Sequence, residues 1–341
     1  MKKSGEFIKR GERGKNEGEK KEKGKKKGKQ ISQIADRRKR VEKEAARIVE
    51  EQGHEARGTR KRAGMHQDEG VPKKVPCQSL GSVKEINPFQ VTVDGKHLGS
   101  GTYGSCYIGS YRGLDVVVKQ LKIKKYRGET QEDAERRVRN ELIYEARIIN
   151  KLGDHPGLLL LFGVCSKRTP FRLIIQFHGK IDHSAAFTIS SALTKVAIYT
   201  VTEWLDVIRK VAEALNHVHN AGFAHNDIKG NNVVLDKASK GKYNPVLIDF
   251  GKSLPLTGLK GPKVLSTEQQ KRYREEYPHI APEIVTGKRG QSFASDTFSF
   301  AYMAELIFMK AKLGPLPDVI KGALDSDPDR RPTLTKIHAL L

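Results

Sequence analysis

The stretch from Ala224 to Gly251 constrains this 341-residue chain more than any other. It reads Ala-His-Asn-Asp-Ile-Lys-Gly-Asn-Asn-Val-Val-Leu, then a short turn, then Leu-Ile-Asp-Phe-Gly. Asp227, Lys229, Asn232 and Asp249 thus fall within a loop and a hairpin bracketed by the β-branched runs 233–235 and 246–248. Two carboxylates, an ammonium and an amide converging on one pocket suit chemistry on a metal-bound polyphosphate. Carboxylate and amide oxygens hold Mg²⁺, and a carboxylate left over can orient an attacking hydroxyl. Without further support the same residues would make only a polar turn and an ordinary hairpin.

The support lies upstream. Gly99, Gly101 and Gly104 form Gly-x-Gly-x-x-Gly with Thr102 inside it. Glycine lets backbone amides approach phosphate oxygens where a side chain would collide. A dinucleotide-binding glycine loop opens a helix, whereas here Cys106-Tyr-Ile-Gly-Ser-Tyr reads as a strand, so a β-hairpin is expected. Val116-Val-Val-Lys119 is an apolar strand ending in one ammonium. Thr130-Gln-Glu-Asp133 has capping spacing, and Val138, Leu142, Glu145, Ile149 and Leu152 follow at roughly helical intervals. Glu145 therefore sits on a buried stripe. A buried carboxylate needs a cation, and Lys119 is the partner expected, with Glu141, about one turn earlier, as the alternative to Glu145. Residues 158–165 and 171–177 read as further strands. Residues 180–201 read only as a connection. Thr202 is expected to cap an amphipathic helix through Trp204, Ile208, Val211, Leu215 and Val218 that Gly222 ends. His217 and His219, two apart, fall on different faces of that helix and are not a metal pair.

Together these motifs resemble those of protein kinases, whose catalytic loop usually reads His-Arg-Asp-x-x-x-x-Asn and whose metal-binding motif is Asp-Phe-Gly. The resemblance runs from about Phe89 to Leu341. It implies a two-lobed α+β fold, a small β-rich lobe with one helix (89–179) and a larger helical lobe (180–341), with ATP between them. It also implies roles. Asp227 and Lys229 would be catalytic, with Lys119 on the α- and β-phosphates and Glu145 fixing Lys119. Asn232 and Asp249 would hold Mg²⁺. Gly99, Gly101, Thr102, Gly104, Cys106, Val117, Lys119, Ile175, Gln176, Phe177, His178 and Val234 would line the nucleotide site, Ile175 as gatekeeper and Gln176 to His178 as hinge. Ala281-Pro-Glu283 would close an activation segment, Asp296 would brace the catalytic loop, and Arg331 would pair with Glu283. The implied substrates are proteins, and Lys229 two residues after Asp227 is the serine/threonine pattern. The Leu-Phe-Gly-Val-Cys165 and Arg-Arg-Pro-Thr333 runs look closest to the tyrosine-kinase-like group.

This chain also departs from the pattern. Asn226 replaces the usual Arg, Cys106 a Val, and Val117 an Ala. The Gly-Thr pair usual before Ala-Pro-Glu is absent, and only a short stretch with Gly314-Pro-Leu-Pro separates an all-round apolar helix from Asp327, so a docking helix of many kinases looks reduced. A pseudokinase scaffold, or a small-molecule phosphotransferase sharing the catalytic-loop pattern, stays open beside a working protein kinase.

The charge of the chain is uneven. Of its formal +23, residues 1–80 carry a net +12, with 25 Lys/Arg against 13 Asp/Glu and few large apolar residues. Such a composition cannot bury enough surface to offset ordering, so residues 1–85 are expected to be a mostly disordered basic tail, with a frayed helix conceivable over 31–51. Its partners could be nucleic acid or another acidic surface. The chain has no run of about 18 apolar residues to span a membrane. Three unpatterned cysteines fit a reducing, intracellular compartment, cytoplasmic or nuclear. Oligomeric state is not legible.

Overall fold

In the computed structural model, residues 81–101, 103–179, 187–195, 198, 200–237 and 242–341 are described. Residues 1–80 of the expected tail, the helix expected over 31–51 and Thr102 lie outside them; the last five residues of the expected tail, 81–85, are described, and Lys84 and Glu85 bond to the small lobe.

The small lobe is a five-stranded antiparallel sheet of β1 (Val91–Ser100), β2 (Gly104–Tyr111), β3 (Leu114–Leu121), β4 (Leu161–Cys165) and β5 (Arg172–Gln176), in the order β1-β2-β3-β5-β4. Strand alternation divides β3 between two duties. Val116 and Val118 point into a small core with Ile86, Val91, Tyr111, Cys165 and Ile174, while Val117 and Lys119 face the cleft below. This lobe begins earlier than Phe89. Ile86 N donates to Val164 O at 2.7 Å and Val164 N to Lys84 O at 2.9 Å, adding one extended turn of chain beside β4. Phe89 itself is 96% exposed. The apolar Ile86, not the aromatic three residues on, is what anchors the entry.

Helix α1 (Gln131–Leu152) lies against this sheet. Thr130 caps it by accepting from Asp133 N at 3.1 Å. Its buried stripe includes Val138, Leu142, Glu145, Ile149 and Leu152.

The large lobe starts with a short helix the sequence did not announce, α2 (Ile189–Lys195). Next comes α3 (Val201–Asn220), whose Trp204, Ile208, Val211 and Leu215 are at the centre of the main core. Its cap is Thr200, not Thr202. Thr200 and Glu203 form a reciprocal capping box, and only that register places a glutamate three residues on. Two two-stranded sheets, β6 (Phe223–Ala224) with β9 (Leu254–Pro255) and the hairpin of β7 (Val233–Lys237) with β8 (Tyr243–Leu247), carry the loop residues. The segment after β9 contains α4 (Thr267–Glu276), which was not expected, and then α5 (Pro282–Val285). Buried α6 (Phe293–Ala311), α7 (Asp318–Ala323) and α8 (Leu334–Leu340) complete the lobe. Between α6 and Asp327 there is only the six-residue α7, as the short spacing predicts.

Candidate active site

Asp296, buried in the first turn of α6, organises the loop that carries Asp227. Its Oδ2 accepts from His225 N at 2.6 Å and its Oδ1 from Asn226 N at 2.8 Å, while His219 Nε2 lies 3.0 Å from Oδ2. Two backbone amides are thereby fixed, and Asn226 is held at φ +62°. Asparagine tolerates this left-handed conformation better than most residues, which gives a local reason for it here.

One residue on, Asp227 is buried and surrounded by donors. Lys229 Nζ is 3.0 and 2.9 Å from its two carboxylate oxygens, and Asn232 Nδ2 donates to its Oδ2 at 3.0 Å and to its backbone oxygen at 2.8 Å. Lys252 Nζ adds a contact to Oδ1 at 3.2 Å. Burial alone would raise the carboxyl pKa, but the two ammonium groups outweigh it and hold Asp227 down to about 2. Both contacts from Asn232 to Asp227 use its amide nitrogen, which leaves the amide oxygen, a donor type that hard cations accept, outside this pair.

Lys119 links the lobes. Its Nζ donates to Glu145 Oε1 and Oε2 at 2.7 and 3.0 Å and to Asp249 Oδ1 at 2.8 Å. Burial pulls the lysine pKa down, and the two carboxylates more than reverse this, so it stays cationic. Glu145, not Glu141, is the partner; Glu141 points outward to Arg137 at 3.3 Å. Asp249 adopts φ +67°, an uncommon conformation for a residue other than glycine, and its pKa is lowered: burial raises it, but Lys119 prevails.

These groups line a cleft of about 530 Å³ between the lobes. Gly99, Gly101, Gly104, Cys106, Val117, Lys119, Glu145, Ile175, Gln176, Phe177, His178, Asp227, Lys229, Asn232, Val234 and Asp249 all border it. The three loop glycines differ in origin. A Cβ on Gly104 would come 2.6 Å from Gln120 O, so that glycine is demanded by the sheet itself. A Cβ on Gly99 or Gly101 would meet nothing within 4 Å, and neither needs a left-handed φ. Their bareness leaves open space over the cleft, the kind of cradle a phosphate chain would fill. Burial pushes the Cys106 thiol up to about 11, so it acts here as an apolar wall.

Four nearby residues take places at the site that the sequence did not assign to them. Tyr103, on the tip of the glycine loop, and Lys252 border the cleft. His279 lies within the field of Asp227, Lys229 and Lys252, and burial together with Lys229 lowers it to about 4. Asp236, at the far end of β7, accepts from Gly179 N at 3.2 Å and meets His178 Nδ1 at 3.4 Å, joining the hinge to the large lobe. No local motif marks these contacts, which arise only when distant segments meet.

A two-lobed fold with a glycine-roofed cleft, an internal lysine–glutamate pair and a braced His-x-Asp loop defines a class of phosphate-handling domain. The comparisons place it further: residues 92–316 match the model of the protein kinase domain, and the chain belongs to that family. It is 27% identical over 285 residues to a probable serine/threonine-protein kinase of Dictyostelium discoideum, covering 75% of this chain and 28% of that protein. It is 29% identical over 187 residues to the tyrosine-protein kinase Btk of Drosophila melanogaster (54% and 21%). It is 25% identical over 232 residues to mitogen-activated protein kinase kinase kinase 3 of Arabidopsis thaliana (67% and 34%). In each case the match spans only about a fifth to a third of the relative's own length. Among the described residues, no helix is long and apolar enough to cross a membrane.

Proposed function

We propose that this chain transfers the γ-phosphoryl group of ATP to serine or threonine hydroxyls of proteins. The observation that carries the reading is Lys119, held at once by Glu145 and Asp249 in the cleft that Gly99 and Gly101, with open space about them, also border. In this reading Lys119 binds the α- and β-phosphates. Asn232 and Asp249 would hold Mg²⁺, which shields the phosphate charges. The acceptor oxygen forms a bond to the γ-phosphorus as the bond from that phosphorus to its bridging oxygen breaks, and ADP leaves. Asp227 orients the hydroxyl and takes its proton; with a carboxyl near 2 it is a weak base, suited to late proton transfer. Lys229 steadies the transferring group. Its place two residues after Asp227 favours serine/threonine acceptors, although a tyrosine kinase is among the relatives.

The test is incubation with Mg-ATP and a protein mixture, followed by mapping of phosphorylated residues. Asp227→Asn is expected to lose about 10³-fold or more in turnover while nucleotide affinity stays within a few fold, and Asp249→Asn to weaken Mg-nucleotide binding too. Turnover of Asp227→Asn close to wild type would remove Asp227 from its role. The short stretch after α6 favours one rival, a scaffold that binds nucleotide without turnover; it predicts no phosphorylated product from the wild type either.

A further inference from the structure

Lys252, the residue after Asp249-Phe-Gly, has no part in the reaction as written above. Its half-exposed side chain places Nζ 3.2 Å from Asp227 Oδ1, an oxygen that Lys229 also contacts at 3.0 Å. The backbone that presents it is held from two sides. Asn226 Nδ2 donates to Lys252 O at 3.3 Å, and the hydroxyl of fully buried Ser253 donates to His225 O at 3.3 Å. Asn226, the residue in place of arginine, is thus in contact with the backbone that carries this second cation to the catalytic carboxylate.

The surroundings make the arrangement one-sided in charge. Asp227 faces two ammonium groups. Around Lys252 the further groups are Asp249, already paired with Lys119, and the neutral phenols of Tyr103 and Tyr277. His279, held uncharged at neutral pH, contributes no cation and no anion. A hydroxyl approaching Asp227 Oδ1 comes beside Lys252 Nζ, which already occupies one approach to that oxygen. An ammonium shifted by the acceptor regains an ion pair where the peptide brings an anion. A neutral peptide offers none, whereas one with an acidic group beside its hydroxyl does.

We propose that Lys252 is a specificity-determining residue that selects acceptor hydroxyls with a carboxylate or phosphate on an adjacent residue of the peptide. The proposal rests on the phosphotransfer reading of the same cleft. Lys260 and Lys263, further along the same segment, are also exposed.

The test uses the full chain as wild type and as Lys252→Met, Lys252→Arg and Lys252→Glu. The peptides share one serine and differ only beside it, in Ala, Glu, phosphoserine or Lys. Affinity is read by fluorescence anisotropy without nucleotide, and kcat/KM with Mg-ATP. Cations elsewhere in the chain are common to all variants, so differences between variants isolate residue 252. The wild type is expected to favour Glu over Ala about tenfold, an ion-pair-sized gain that shrinks with salt. Lys252→Arg keeps the preference, Lys252→Met reduces it to within about twofold, and Lys252→Glu turns it toward Lys. The Glu and phosphoserine arms show which acid is read. An unchanged Glu-to-Ala ratio in Lys252→Met overturns the proposal. So does an equal loss of kcat/KM on every peptide, which would mark Lys252 as a contact to nucleotide. If no peptide is phosphorylated yet the affinity ratio collapses in Lys252→Met, the phosphotransfer reading fails and the acidic-peptide site stands.

Discussion

Within six residues of chain, Asp227, Lys229 and Asn232 form a closed polar set, and such proximity in sequence is why they could be read without a structure. Lys252 could not be read this way, because its meaning is a distance across a turn that no motif encodes. His279 is the same kind of residue, and it makes a prediction of its own. Burial, with Lys229 adding to it, lowers its pKa to about 4, against about 6.5 in an unfolded chain. As pH falls below about 6.5 the unfolded state takes up a proton first, so the contribution of His279 to stability is lost between about 6.5 and 4. The depressed carboxylates Asp227 and Asp249 titrate below their ordinary range near 4, so they leave the upper part of that window to histidine. The melting temperature of His279→Gln should therefore fall less than that of the wild type between pH 7 and 5. Parallel curves would show that His279 is protonated equally in both states.

At the scale of elements, amphipathic α1 and α3 were legible because their apolar stripes have helical period. Helix α4 was not, since it buries no residue, although Ser266 and Gln269 form the reciprocal capping box that sequence can display. That helix bears on regulation. The segment from Asp249 to Glu283 is tied down by contacts of its own: β6 pairs with β9, Gln291 N donates to Lys260 O at 2.9 Å, and the Ser266 box closes α4. Asn226 is neutral and contacts the backbone of Lys252, so it cannot make the bidentate pair that arginine makes with a phosphate. Phosphatase treatment is accordingly expected to change activity by less than about tenfold, about 1.4 kcal/mol in the barrier. A collapse restored by rephosphorylation at Thr257, Ser266 or Thr267 would refute this. The far end of the segment is anchored by Glu283 and Arg331, both nearly fully buried, with nitrogen–oxygen distances of 2.8 and 2.7 Å. Arg331→Met strands a buried carboxylate and should cost about 3–5 kcal/mol in chemical denaturation. A loss below about 1 kcal/mol would mean that Glu283 finds water or another donor.

At the scale of the molecule, the two lobes share one apolar core in which Leu142 and Leu173 of the small lobe are continuous with Trp204 and Phe300 of the large one. This continuity was not visible in sequence, where the lobes are separate runs of motifs, whereas the shortened stretch after α6 could be counted directly. Between the lobes, Lys119 is bonded to Asp249 across the cleft, and His178 to Asp236 at the hinge side. A nucleotide lodged there touches both lobes and so binds only their folded arrangement. At about a hundredfold excess over its Kd, such a ligand adds about 2.7 kcal/mol. For a domain of this size that is on the order of 5–10 °C in melting temperature. Magnesium enters through Asn232 and Asp249 in the proposed reading, so most of the shift should require Mg²⁺, persist in Asp227→Asn and shrink in Asp249→Asn. The measurement needs no turnover, so it tests the nucleotide site by itself: a scaffold and an enzyme both give the magnesium-dependent shift, and only product formation tells them apart. A shift of equal size without Mg²⁺, or undiminished in Asp249→Asn, would take the metal away from these two residues and leave the nucleotide held by Lys119 and the glycine loop alone.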